Sequence, residues 1–298
     1  MLEELKGIQA ARKVKPAIKG NLEKLIELGS QLEREFTTGS FSHINLIQER
    51  RPELYKIVKD ADIEYDKQDI QALAVAFSSK EVQNPIIRGA YIGALVSLLT
   101  EKNNKEGRRT IVKLDLTGSE FPYLCAGAKY ADVLMIKNVK GKLIGYNIAS
   151  NYGQAGIVIL QGIKGDFAGA NIAFNHGQAG IVILQNIIGN DAGNWMAADH
   201  GQAGIISLED IIGDYAGEYM AYNHGQAGII FLKNVSSIYA GNCGNYSLLD
   251  KQGKYSSQIR RFADEMIKKY SESRMTFEEL REEIGRFTKR IKSGGENV

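Results

Sequence analysis

Cysteine is nearly absent from this 298-residue chain, which holds only Cys125 and Cys243. Two cysteines so far apart build no disulfide framework and match no metal-ligand spacing. Both are expected to be free thiols in a reduced, cytoplasmic setting. An excess of one charge is absent too. The formal net charge is +2, which leaves no strong electrostatic case for nucleic acid or a membrane surface. Residues 251–298 carry twelve Lys/Arg against eight Asp/Glu, but the two signs are interspersed as on a solvated helix face. Long apolar runs are missing as well. The most apolar stretch, Ala90 to Leu99, is ten residues long and interrupted by Gly93 and Ser97, about half of a membrane span. The start, Met1-Leu2-Glu3-Glu4-Leu5-Lys6, lacks the apolar core of a signal peptide. No phosphate-cradling loop, nucleophile elbow or zinc-type spacing occurs, so no catalytic residue, metal site or cofactor is expected.

What the chain has is glycine, and it is periodic. Five units of 24 residues start at Gly127, Asn151, Asn175, Asp199 and Asn223. The phrase Gly-Gln-Ala-Gly-Ile recurs at 153–157, 177–181, 201–205 and 225–229, and Ala-Gly follows at 168–169, 192–193, 216–217 and 240–241. A fainter copy lies upstream near Ile111–Leu116. Several glycines per unit at fixed phases would be costly inside helices, and the short Ile/Val-rich runs suit strands. Twenty-four residues make one coil of short strands and turns. The chain is therefore expected to be mainly β with helical flanks: a parallel β-helix (β-solenoid) of about six 24-residue coils, capped by α-helices at both ends.

Three regions follow. Residues 1–102 read as a helical N-terminal region, with Asn21 as a cap, a segment from Ile44 to Val58 interrupted at Pro52, and a short apolar helix from about Ile86 to Thr100. Residues 103–250 form the repeat domain. Residues 251–298 form a helical C-terminal cap. Its first stripe is Ile259, Phe262, Met266 and Ile267, and a second helix follows the capping-box pattern Thr276/Glu279. Within a coil, Leu134, Val158, Val182, Ile206 and Ile230 and the set Ile136 to Leu232 are uniformly apolar and expected inside. The phase between them, Met135, Ile159, Ile183, Ser207 and Phe231, tolerates a polar residue and is expected outside.

The phrase Gly213-Asp214-Tyr215-Ala216-Gly217-Glu218-Tyr219-Met220, with the Gly201-Gln202-Ala203-Gly204 type of repeat, resembles the glycine-rich right-handed β-helix of the glutamate synthase C-terminal domain and of the β-helical subunit of formylmethanofuran dehydrogenase. The likeness covers the repeat region, a little under half of the chain, and neither helical flank. That family's repeats are shorter than the unit here. It implies a structural domain inside a larger enzyme assembly, with no catalytic residue to carry over.

Residues 24 apart stack in a solenoid, so His176, His200 and His224 are expected to form a ladder continued by Tyr152. Asn151, Asn175, Asp199 and Asn223 run beside it, as do Gln154, Gln178, Gln202 and Gln226. Amide ladders of this kind stabilise stacked turns. A metal site would need further ligands at neighbouring phases, and a His200/Asp199 catalytic pair would need side chains on one face. Aromatics cluster late in the array: Trp195 and Tyr219 share one phase, Phe174, Tyr222 and Tyr246 another, and Phe167, Tyr215 and Tyr239 a third. Such a strip can seat the terminal helices, dock a protein or stack on sugars. Asp166, Asp210 and Asp214 are the acids to weigh for polysaccharide cleavage, and they read as turn chemistry. The expected function is a non-catalytic scaffold or assembly subunit with a protein partner or a second copy of itself. The alternative is a carbohydrate-binding or polysaccharide-active protein using the aromatic face.

Overall fold

The computed structural model describes residues 16–36, 43–79, 83–237, 243–250, 254–272 and 275–293. Seven strands form one parallel sheet in chain order: β1 (Ile111–Asp115), β2 (Tyr130–Lys137), β3 (Gln154–Gln161), β4 (Gln178–Ile188), β5 (Gln202–Ile212), β6 (Gln226–Val235) and β7 (Asn245–Asp250). Among the described residues, four helices precede it: α1 (Pro16–Glu35), α2 (His43–Asp60), α3 (Lys67–Ser78) and α4 (Pro85–Lys105). Two follow it, α5 (Ser256–Glu272) and α6 (Phe277–Lys292). This is the parallel β-solenoid with helical flanks that the repeat implies.

From β2 to β6 the register is the repeat itself, Gln154 pairing with Gln178 and Gln178 with Gln202. The end coils are shorter than the repeat. Ile111 pairs with Val133 at one end, and Gln226 pairs with Asn245 at the other. The last step moves Tyr246 out of the Tyr222 phase and opposite Ala227. Tyr239 lies outside the described residues.

Opposite the sheet, each coil turns through residues whose backbone is left-handed at every second position. In one coil these are Phe167, Gly169, Asn171, Ala173 and Asn175. Their N–H groups bond alternately to the coil above and below: Phe167 to the Asn190 carbonyl, Gly169 to Ile144, Asn171 to Asn194 and Ala173 to Ile148. Coil-to-coil bonding thus continues where no strand exists, which satisfies the backbone of these turns. Between these walls lies the core, with Val158, Leu160, Val182, Leu184, Ile206 and Leu208 of the strands facing Ala168, Ile172, Ala192, Met196, Ala216 and Met220.

The N-terminal helices close the first coil. Helix α4 begins at Asn84, whose side chain accepts from Ile87 N at 3.2 Å, with Pro85 in its first turn. Its Gly89 and Gly93 press on the backbone of residues 123–128, and a Cβ on Gly89 would overlap the Tyr123 carbonyl. Ser97 Oγ accepts from Lys129 N (2.9 Å) and Tyr130 N (3.2 Å), filling acceptor positions that another coil would supply. Arg88 crosses to Glu33 of α1 with both groups buried, at 2.5 and 3.0 Å. Two local expectations change. Asn21 lies inside α1 rather than capping it, and α2 continues through Pro52.

The C-terminal helices flank the solenoid along its side. The outward strand phase, Met135, Ile159, Ile183, Ser207 and Phe231, does point away from the coil interior. It meets α5 and α6 rather than water: Met135, Ile183 and Phe231 are buried with Ile259, Phe262, Met266, Leu280, Ile284 and Phe287 in a second core, with Ile159 partly buried against it. Ser207 is buried as well, with Glu209 beside it at 3.4 Å. Arg260 of α5 pairs with the fully buried Glu209 carboxylate, giving the polar position a partner under the helices.

The seat of these helices is a glycine row. Gly156, Gly180, Gly204 and Gly228 lie one per coil on the outer face. A Cβ at each would meet, in order, Tyr270 Oη (3.1 Å), Leu280 Cδ2 (2.6 Å), Ile284 Cγ2 (2.7 Å) and Thr288 Oγ1 (3.6 Å). Four helical residues advance about 6.0 Å and one coil about 4.8 Å. A tilt of roughly 37° to the stack matches the two and sets one α6 side chain above each of Gly180, Gly204 and Gly228, while Tyr270 of α5 covers Gly156.

Candidate functional site

The histidine ladder is as expected in geometry. Tyr152 and His176 lie 4.8 Å apart centre to centre, His176 and His200 4.8 Å, and His200 and His224 4.9 Å, with planes within 17° of parallel. All four rings are exposed. Beside them the amides bond between coils: Asn175 Nδ2 donates to Asn151 Oδ1 at 2.5 Å, and Asn223 Nδ2 to Asp199 Oδ1 at 2.9 Å. Parallel rings 4.8 Å apart hold their nitrogens too far apart to share one ion, which needs about 2.1 Å to each. Among the described residues, no group of three His, Cys, Asp or Glu side chains is placed to hold a metal.

The acids weighed for catalysis are engaged in the same stacking. Asp210 accepts from Asn234 Nδ2 at 2.7 Å, and Asp166 accepts from the Asn190 backbone at 2.8 Å. Asn190 in turn accepts from the Asp214 backbone at 3.0 Å. Cys125 is buried and Cys243 half-buried, both as free thiols. Burial pushes the Cys125 thiol far above its ordinary range, which disfavours the thiolate.

Among the described residues, the aromatic strip belongs to neither cluster that packs against a helical flank. Trp195 and Tyr219 stack at 4.6 Å with a 32° tilt, and Tyr222 meets them edge-on at 6.0 and 5.4 Å. Around the same side of the coils, Ile188 and Ile212 are 50% and 59% exposed, and Tyr215, Tyr222 and Phe167 are exposed with them. None belongs to the second core under α5 and α6.

Below Trp195 the strip deepens into a groove of about 460 Å³ lined by Tyr146, Phe167, Ala170, Asn171, Phe174, Asp191, Asn194 and Trp195. Its origin is legible phase by phase. Tyr146, Ala170 and Asn194 share one position of successive coils, and the small residue in the middle leaves the space. Asn171 Nδ2 donates to the Tyr146 hydroxyl at 2.8 Å, and burial pushes that phenol up to about 12. Asn194 Nδ2 donates to Asp191 Oδ1 at 2.9 Å. Burial, then the nearby Asp166, raises the Asp191 carboxyl above its usual range. Sequence reasoning found Trp195, Tyr219 and Tyr222 but missed Tyr146, Asp191 and Asn194, whose signal is the large–small–polar alternation at one phase.

Among the described residues no helix is long and apolar enough to cross a membrane. In comparisons with known proteins, the chain matches no family model, no curated protein and no solved structure.

Proposed function

We propose that the chain is a non-catalytic scaffold or assembly subunit, which docks a protein partner or a second copy of itself through the uncovered side of the solenoid. The observation that carries this reading is the exposure of Ile188, Ile212, Tyr215 and Tyr222 on the side that no described helix covers. Contiguous exposed apolar surface, aromatic-rich and interrupted by a few polar groups, is the usual composition of a docking patch. The repeat phrases that resemble the glycine-rich β-helix of glutamate synthase support the same reading, since that domain is a structural part of a larger assembly.

A saccharide-binding role would use the same aromatics. Trp195 and Tyr219 turn one face each on the other, which leaves less open ring face for stacking a sugar and favours a protein contact.

The test is solution mass by light scattering together with differential capture from the native source, for the wild type and for Ile212→Glu. The expected result is a wild-type particle heavier than the 32.9 kDa chain, alone or with a captured partner, reverting to monomer with Ile212→Glu. Identical mass and identical captured proteins for both would sink the reading. Saturable binding on a glycan array that Trp195→Ala abolishes would replace it with the saccharide role.

A further inference from the structure

The groove below Trp195 has a charge and hydrogen-bond inventory that selects its occupant. No Lys, Arg or His lines it. Each amide nitrogen facing it has one N–H engaged, Asn171 Nδ2 on the Tyr146 hydroxyl and Asn194 Nδ2 on Asp191. Acceptors remain. Asn194 is only 7% exposed and its Oδ1 has no hydrogen-bond partner, an acceptor left open on a residue that lines the groove. Asp191 makes no ion pair among the described residues. A half-buried carboxylate without a counter-ion is unfavourable, and Asp166 adds a second negative charge nearby. Phe167, Phe174 and Trp195 supply ring surface for an apolar body.

We propose that this groove binds a primary or secondary organic ammonium with an apolar body. The ammonium N–H groups donate to Asp191 and to Asn194 Oδ1, while the apolar body packs against Phe167, Phe174 and Trp195. Anionic ligands are repelled by the two carboxylates. A neutral ring brings no charge, and a quaternary ammonium brings no donor. The ligand comes either as a free amine or as a lysine side chain of a partner protein. The inference stands apart from the scaffold reading, since occupancy of the groove is measured without any assembly.

Trp195 is the only tryptophan in the chain, so its fluorescence reports the groove directly. The full-length protein is titrated with phenethylamine, its N,N,N-trimethyl derivative, methyl glucoside and Nα-acetyl-lysine methylamide. We expect a saturable change with phenethylamine, at least tenfold weaker binding of the trimethyl derivative and no response to methyl glucoside. Asp191→Asn keeps an acceptor for Asn194 and should weaken phenethylamine at least tenfold, whereas Asp115→Asn on the first strand should leave it unchanged. Binding needs the Asp191 carboxylate, so affinity falls as pH is lowered through its raised pKa, earlier than for an ordinary aspartate. Tighter binding of the lysine derivative than of phenethylamine assigns a partner's side chain, and the reverse order a free amine. The proposal is overturned by wild-type affinity in Asp191→Asn, by equal binding of the trimethyl derivative, or by a response to methyl glucoside without one to amines.

Discussion

The two helical flanks meet the solenoid in opposite ways. At the first coil, glycines sit on the helix: Gly89 and Gly93 of α4 let its backbone press on residues 123–128. Along the side, glycines sit on the coils: Gly156, Gly180, Gly204 and Gly228 make a furrow, and the helices fill it with Tyr270, Leu280, Ile284 and Thr288. Each arrangement puts the missing side chain where the geometry allows. A stack has one terminal coil at each end, so a single helix surface can be shaped to it. Its side repeats, so one glycine per unit prepares a seat of any length. The polar pairs differ too. Arg88 and Glu33 in the cap are both buried, whereas Arg260 over Glu209 is half open to water.

Three substitutions sharpen that contrast. Arg88→Met should have the largest effect, about 4 kcal/mol, because it strands the Glu33 carboxylate in the interior of the cap. Chemical denaturation that finds no loss would show the cap pair to be solvated. Gly180→Ala should cost about 2 kcal/mol through overpacking, since its Cβ would lie 2.5 Å from the Gly156 carbonyl and 2.6 Å from Leu280. The loss should be accompanied by faster proteolysis within α5 and α6; equal susceptibility in mutant and wild type would place the contact elsewhere. Thr276→Ala should cost about 1 kcal/mol by removing the cap of α6. The sign with pH can be checked in the same series. The Thr276 backbone N–H, and after it the hydroxyl, hold the exposed Glu279 carboxyl below its ordinary range, so the hydroxyl's share, which alanine removes, is present above the unfolded pKa and fades as pH falls through the folded one. The gap between wild type and Thr276→Ala should narrow in acid, and a gap that widens would contradict the capping box.

Much of this fold is legible in the sequence because a 24-residue period fixes register. Once Gln154, Gln178 and Gln202 are known to stack, the strand faces and the histidine and amide ladders follow. Less legible is what each face meets. The stripe Phe277, Leu280, Ile284, Phe287 and Ile291 says that α6 buries one side, and nothing in it says against what. The outward phase looked mixed because of Ser207, yet that polar residue is buried beside Glu209, whose partner Arg260 lies far along the chain on α5. In the sequence, the glycines of the Gly-Gln-Ala-Gly phrase argue against helix and say nothing of a neighbour. The second glycine of each phrase lies in a strand, where it clears space for a helix. The shortened coils at the two ends break the period, so phase counting fails there and misplaces Tyr246. The groove escaped notice because it arises from Ala170, a small residue between two larger ones in different repeats.

Helices α5 and α6 lie along the glycine row in register, which leaves the opposite side of the coils uncovered by them. Methyl nuclear Overhauser measurements on the full-length protein, with labelled leucine, isoleucine and glycine, test it most directly. The account expects cross-peaks from Leu280 methyls to the Gly180 α-protons and from the Ile284 methyls to those of Gly204. Cross-peaks that instead join both side chains to Leu248 and Leu249 of β7, at the end of the stack, would contradict it.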